Sequence, residues 1–359
     1  MYINTRDEIG EIATLDGLVE RTLTEFTDTD VVQLSGAAFY YDKTIEKVIL
    51  PGITSLGSSD FFGCYMLKEL HIGTNNNSVC TLSATSSFSQ DYRCIFFVPA
   101  NLLNSYKNAS NWSTFADRIY AEGDTSAPVW TEEEIQDTDA EIVARINNGT
   151  ASSYYKPGQY KTIDFGTLGS IRMQIIGVNK DELSSGNGYA QLTWFPYYEL
   201  PNIQHRMNPA CEGSSGAYTI GTGGVGGWDA SELKTYLNDT VWYSIPEIWR
   251  SVIKEVKKYS RSVDTTGTVQ NNVLSNEKIW IPSAREISSS SNKETTGIQY
   301  LEAFNNGTTK IRYNLSGNAV GWWTRTAIDR LSFSNNSAGG GASSSTASNT
   351  FYVAFGFCT

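Results

Sequence analysis

Histidine is nearly absent from this chain of 359 residues, where His71 and His205 are the only two. With so few imidazoles and no nucleophile elbow, no Ser/His/Asp or Cys/His arrangement is expected. Cysteine is scarce as well. Cys64, Cys80, Cys94, Cys211 and Cys358 are odd in number, far apart and without a C-x-x-C pair, so neither a disulfide framework nor a zinc site is indicated. Charged residues make up 18% of the chain, below the usual ~25%. Basic charge is the scarcer sign, with 27 Lys and Arg against 38 Asp and Glu and a net charge of −11. This balance argues against a nucleic-acid partner, whose affinity would rest on clustered cations. The single basic cluster, Lys254, Lys257, Lys258 and Arg261, reads as the solvated face of a helix. No apolar run approaches the ~20 residues of a spanning helix. Residues 1–30 lack an apolar h-region, so neither membrane insertion nor a secretory signal is expected.

Aromatic residues are abundant: twenty Tyr, fifteen Phe and nine Trp against four Met. Rigid aromatic bodies among Ser, Thr, Asn and Gly are the material of adaptable binding surfaces. The N-terminal third repeats itself. The segments beginning at Val31 and Ile53 match at Val31/Ile53, Leu34/Leu56, Phe39/Phe61, Ile45/Leu67, Val48/Leu70 and Leu50/Ile72, all 22 apart. A degenerate third copy, 79–99, keeps Leu82, Phe88, Phe96 and Val98 near the same phase. A period near 22 with alternating apolar residues at each repeat's end is a leucine-rich-repeat signature, the alternating piece being a strand in a stacked parallel sheet. Leu102, Leu103, Tyr106, Trp112, Phe115 and Ile119 form the apolar stripe of a helical cap.

Residues 122–130 combine Gly, Pro and charge and read as a linker. Thr131 and Glu134 form a capping box ahead of Ile135, Ile142, Val143 and Ile146 at helical spacing. One further helix opens at Asp229 and Glu232, and another at Ser244-Ile-Pro-Glu247 with Ile248, Val252, Val256 and Tyr259 on one face. Segments 171–179, 279–283 and 351–357 read as strands. The fold class expected is α+β, not a doubly wound sheet.

Gly221-Thr-Gly-Gly-Val-Gly226 satisfies G-x-G-x-x-G, yet the preceding segment 213–220 is a weak strand and Glu247, at the distance of the ribose-binding acid, opens a helix. A flexible loop is therefore expected, not a dinucleotide site. Asp181 and Glu182 sit beside Ser-Ser-Gly-Asn-Gly and read as a solvated turn. The last 34 residues, 326–359, contain no Lys, Glu, Gln, Met or Trp, although those types fill 57 of the first 325 positions and about six would be expected. These are the five amino acids with no codon ending in a pyrimidine. Two accounts fit: a Ser/Gly/Asn-rich loop in which such residues are scarce, or descent from AAY codons randomised at their first two bases.

Two resemblances extend these readings. The string Leu56–Gly73 is similar to the BspA-like leucine-rich repeats of bacterial surface proteins and phage tail proteins, and 96–119 resembles their C-terminal cap. Segments 226–247, 279–287, 297–304, 321–327 and 347–358 together resemble the C-type-lectin-fold variable proteins of diversity-generating retroelements, found in gut bacteria and their phages. In those systems an error-prone reverse transcriptase substitutes at template adenines. One departure is Gly321–Ala327, where relatives commonly carry Leu for Thr324 and Ser-Pro for Thr326-Ala327.

The resemblances imply a BspA-like leucine-rich-repeat module over 1–121, a linker over 122–130 and a C-type-lectin-like variable domain over 131–359, with the variable region at about 326–352. Trp322, Trp323, Val353, Phe355 and Phe357 would form buried strands. The candidate ligand-binding residues are Ile328, Asp329, Arg330, Ser332, Ser334, Asn335, Asn336, Ser343, Ser344, Ser345, Thr346, Ser348, Asn349, Phe351 and Tyr352. Arg330, Phe351 and Tyr352 would be the strongest anchors. Sugar-binding C-type lectins hold calcium with Glu-Pro-Asn or Gln-Pro-Asp loops. Neither tripeptide occurs and Leu200-Pro201-Asn202 lacks the first ligand, so no metal and no cofactor is expected. The implied function is a non-enzymatic phage tail or receptor-binding protein recognising a bacterial surface protein or glycan, with other virion proteins meeting the N-terminal module. Its implied location is the virion, after synthesis in the bacterial cytoplasm. Homo-oligomer formation is left open, since no heptads occur. The alternatives are a surface adhesin of the bacterial cell and a glycan hydrolase using Asp or Glu.

Overall fold

Alternating apolar residues put every second side chain on one face, the pattern of a strand with one buried side. In the computed structural model, which describes residues 2–3, 12–13, 19–20, 23–34, 37–88, 91–211, 218–291, 293–305 and 308–359, those pieces are the strands Lys47–Leu50, Glu69–Ile72 and Ile95–Val98. They lie parallel between Glu25–Thr27 and Ile119–Ala121 in one five-stranded sheet. The register pairs Val48 with Leu70 and Leu50 with Ile72, a step of 22, and then Leu70 with Phe96. Behind the sheet Phe39, Phe61 and Phe88 stack with ring centroids 5.0 and 5.3 Å apart. The copies thus close a shared apolar column that none could bury alone.

The helix Leu103–Asn108 and the 3-10 turn Trp112–Arg118 cover the end of this column. Tyr106 and Trp112 are buried there, and both are tied to Cys80: its N–H donates to the Tyr106 hydroxyl, and the Trp112 indole donates to its carbonyl. Residues 122–130, expected as a linker, belong to this unit. Ala127 is buried with Ile95 and Phe97, and the Arg93 guanidinium lies 4.5 Å from the centre of the buried Trp130 ring. The Gly and Pro signals mark turns there, and the apolar residues between them find a cluster.

The chain divides into two units, Met1–Trp130 and Thr131–Thr359. The second is mixed α+β and mostly sheet. One antiparallel sheet orders the strands Tyr160–Asp164, Ser170–Val178, Leu192–Pro196, Gly356–Cys358 and Ile279–Trp280. Another orders Gln204–Arg206, Thr350–Tyr352, Trp322–Ala327, Ser332–Asn336 and Ala342–Thr346. Segment 351–357, expected as one strand, therefore serves two sheets, with Val353, Ala354 and Phe355 buried where it crosses.

Two sequence expectations are corrected. The helix Asp139–Asn147 is capped by a box at Thr138 and Glu141, not at Thr131 and Glu134. Both pairs satisfy the spacing, but only the second leads directly into Ile142, Val143 and Ile146. Ile135 instead extends along Tyr160, whose carbonyl accepts its N–H. The helix expected through Tyr259 stops at Arg250, and Val256–Val263 is a strand paired with Val269–Glu277. Val256, Lys258 and Ser260 point inward while Lys257, Tyr259 and Arg261 are half-buried, a period of two. Pairing across the ribbon overrides the helical pattern.

Candidate functional site

The strand Trp322–Ala327 is buried along its whole length, and both its indoles and the Thr324 hydroxyl find backbone acceptors. The Trp322 indole donates to the Lys310 carbonyl, that of Trp323 to the His205 carbonyl, and the Thr324 hydroxyl to the Ser334 carbonyl, all at 3.0 Å. Next to it Ser332–Asn336 and Ala342–Thr346 form an antiparallel hairpin with Asn335 opposite Ser343. This is a difference from the irregular exposed loop expected here. Ser, Asn and Gly are weak strand formers, and the hairpin is fixed by pairing with the buried strand and by a turn in which Ser337 bonds Gly341 and Gly340 takes φ +77°.

Thr324, Ile328, Ser334, Asn335, Asn336, Ala342, Ser343 and Ser344 form one side of a groove of about 460 Å³. Ala284, Ile287, Ser288, Ser290, Ser291, Lys293 and Lys310 form the other. Six of the fifteen candidate residues thus share one concavity: Ile328, Ser334, Asn335, Asn336, Ser343 and Ser344. Ser343 and Ser344 are exposed, whereas Ser334, Asn335 and Asn336 are buried in its floor. The opposite wall was outside the candidates. Its one sequence signal is the run Ser288–Ser291, which has the composition of Ser343–Ser345.

That wall hangs on a buried charge network. Ser283 and Glu286 exchange hydrogen bonds, the Ser283 N–H to the carboxylate and the Glu286 N–H to the hydroxyl, which fixes the turn. The Ala284 N–H donates to the Thr326 hydroxyl at 2.8 Å. Glu286 accepts from Arg325 at 2.6 Å and from Lys258 at 3.3 Å. Lys258 also reaches Asp181 at 2.6 Å and the Tyr300 hydroxyl at 2.7 Å, with its ammonium 3.5 Å from the Trp280 ring centre. Asp181, expected in a solvated turn, is fully buried and accepts from Thr193 and Tyr300 as well. Only Glu182 beside it is exposed, paired with Lys257. Burial would raise the carboxyls of Asp181 and Glu286, but their cations outweigh it and hold both below the usual carboxylate range. Glu294 differs. Burial outweighs its bonds from Thr326 and the Arg261 N–H and raises it.

The other candidates lie outside the groove. The Asp329 carboxylate accepts from the Leu331 and Ser332 N–H groups and from the Ser332 hydroxyl, closing a turn. Arg330 lies over the Tyr218 ring, 3.8 Å from its centre. Ser345 accepts from Asn335 at 2.8 Å. Thr346 and Asn349 are exposed and Ser348 is half-buried. Phe351 and Tyr352, expected as anchors, are half-buried and engaged within the unit, Phe351 edge-on to Trp323 at 4.7 Å and Tyr352 accepting from Asn314 at 3.4 Å.

The glycine loop 221–226 has a packing reason. The Gly224 N–H donates to the Arg330 carbonyl at 2.9 Å, and a Cβ at Gly223 or Gly224 would run into the carbonyl oxygens of Arg330 and Asp329. It is a seat for the 329–330 turn, not a flexible loop. Residues 213–217 of the segment before it lie outside the described residues. Among the described residues no three or more His, Cys, Asp and Glu side chains gather as a metal site, and no helix is long and apolar enough to cross a membrane.

Residues 215–355, which include the groove and all fifteen candidates, are similar to a family described as a domain of unknown function, DUF6273. No curated protein and no solved structure matches the chain.

Proposed function

We propose that this chain is a non-enzymatic ligand-binding protein whose C-terminal unit is a C-type-lectin-like variable domain and whose N-terminal unit is a short leucine-rich-repeat array. The reading is of a phage tail or receptor-binding protein that contacts a bacterial surface ligand. One observation carries it. The stretch that avoids five amino acids supplies six residues to a single groove, and five of them sit on a hairpin backed by buried aromatics. Small polar side chains on a rigid support are where substitution changes binding without unfolding the scaffold. The parallel register, stepping by 22 and then by 26, supports the repeat reading of the N-terminal unit. Among the described residues no Asp or Glu lines the groove, which supports the binding reading over a hydrolase acting through a carboxylate pair there.

Ser344→Trp fills the groove from an exposed position. Capture of fluorescently labelled chain on a panel of intact intestinal bacteria is expected for the parent and lost for the variant. Unchanged capture by the variant would overturn the reading. The retroelement part has its own check in the DNA, where a near-copy of the last hundred or so bases, differing at adenines, and an adjacent reverse transcriptase gene are expected.

A further inference from the structure

Two lysines, Lys293 and Lys310, face the groove, and among the described residues its lining contains no Asp or Glu, in a chain with an excess of acidic residues. Neither lysine has an ion-pair partner among the described residues. Lys310 is half-buried, and burial alone lowers its ammonium from the ordinary value. Two residues on, Arg312 is buried against the rings of Phe195, Phe304 and Trp322 and donates to the carbonyls of Pro196, Thr309 and Ile311. No carboxylate among the described residues pairs with it, and burial pushes it down to about 10. Asn336, 1% exposed in the groove's floor, keeps its amide nitrogen without a hydrogen-bond partner.

Arg312 is not part of the lining, which among the described residues therefore holds two cations, Lys293 and Lys310, and no carboxylate to offset them. A desolvated cation is costly until an anion reaches it, and a hydrogen bond between charged partners is about twice as strong as a neutral one. Among the described residues no aromatic ring lines the groove, so stacking on them does not supply the affinity. Ser288, Ser290, Ser343 and Ser344 share the lining with the two lysines and offer hydroxyls suited to those of a sugar. A volume of about 460 Å³ holds one or two sugar units, and two lysines are too few for a long polyphosphate.

We propose that the groove binds an acidic saccharide, with its anionic group at Lys310 and Lys293 and its hydroxyls on the serines and Asn336. This rests on the reading of the groove as the ligand site.

Calorimetric titration of the full chain with N-acetylneuraminate, glucuronate, glucose 6-phosphate and glucose tests it. At least one acidic sugar should bind tenfold or more tightly than glucose, and the carboxylate and phosphate arms identify which acid is preferred. Lys310→Met should weaken that binding about tenfold or more, and Lys293→Met should weaken it too. Both variants should melt at the parent temperature. Equal binding of glucose, unchanged acid binding in both variants, or no binding of any acid would each overturn the inference. Capture of bacteria by the parent and its loss in Ser344→Trp, alongside such a result, would leave the ligand-surface reading standing.

Discussion

Lys258 shows how a single side chain can hold a surface in place from inside the core. The residue is 2% exposed, and its ammonium touches Asp181, Glu286 and Tyr300 at once. With Arg325 the network holds two cations against two carboxylates. Replacing one member leaves buried charge unmatched, which costs far more than the pair contributes relative to an apolar substitute. Lys258→Met is therefore expected to destabilise the second unit by about 3–5 kcal/mol, read as a shift in urea midpoint at constant slope. A change below ~1 kcal/mol would show that the carboxyls simply take up protons instead. Asp181 and Glu286 are held below their ordinary range in the folded state. Their contribution is thus present at neutral pH and fades as pH falls through the depressed values. Glu294 has the opposite sign. Its carboxyl is raised, so its contribution is present at low pH and is lost as pH climbs through the raised value. Parent and Glu294→Gln melts compared from about pH 5 to 8 should therefore diverge, the parent losing stability that the variant keeps. Parallel curves would sink that account. None of this network was legible in the sequence. Asp181 and Lys258 are 77 positions apart, and each lies in a locally polar neighbourhood that reads as solvated.

At the scale of elements, the repeats were the easiest part to read, because Val48, Leu50, Leu70 and Ile72 alternate cleanly and recur at a constant step. The hairpin 332–346 was the hardest. Its strands are mostly Ser and Asn, whose loop preference is overturned by pairing beside the buried strand Trp322–Ala327 and by burial of Phe333. Burial then divides the candidates in a way that composition could not. Ser343 and Ser344 are exposed, so replacing either with Asp or Tyr should change stability by less than about 0.5 kcal/mol. Asn335 is 2% exposed and donates to Ser345. Asn335→Leu should cost ~1–3 kcal/mol by removing that bond. Equal tolerance at these positions in denaturant melts would contradict this division. The glycine loop gives a second element-level expectation. A Cβ at Gly224 meets the Asp329 carbonyl, and neither backbone has a flexible side chain to yield. Gly224→Ala should cost roughly 1–3 kcal/mol and loosen the 329–332 turn, seen as faster amide exchange at Leu331 and Ser332. Wild-type protection there would remove the packing reason for the loop.

For the molecule as a whole, each unit has its own apolar core. One comprises Val31 through Ile119, including the Phe39, Phe61 and Phe88 column, and the other runs from Ile135 to Phe357 around Trp194, Trp228, Trp249 and Trp323. The sequence marks the change of pattern, since the 22-residue period ends before 122 and helical spacing begins after 131, but composition could not tell a loose linker from the packed 122–130. Separate cores of this size are each sufficient for cooperative folding. The second unit also closes on itself through its last strand: Gly356–Cys358 lies between Leu192–Pro196 and Ile279–Trp280, so the end of the chain is a central strand of its sheet. Residues 131–359 expressed alone should therefore unfold in one transition at the temperature of one of two transitions in the full chain. They should also keep the groove, so any ligand captured by the full chain is captured with the same affinity. Deleting 356–359 removes a central strand and should abolish the fold of this unit, while removal of 1–130 should not. A fragment that is unfolded by near-ultraviolet circular dichroism, or a full chain with a single transition, would show that the two cores stand or fall together.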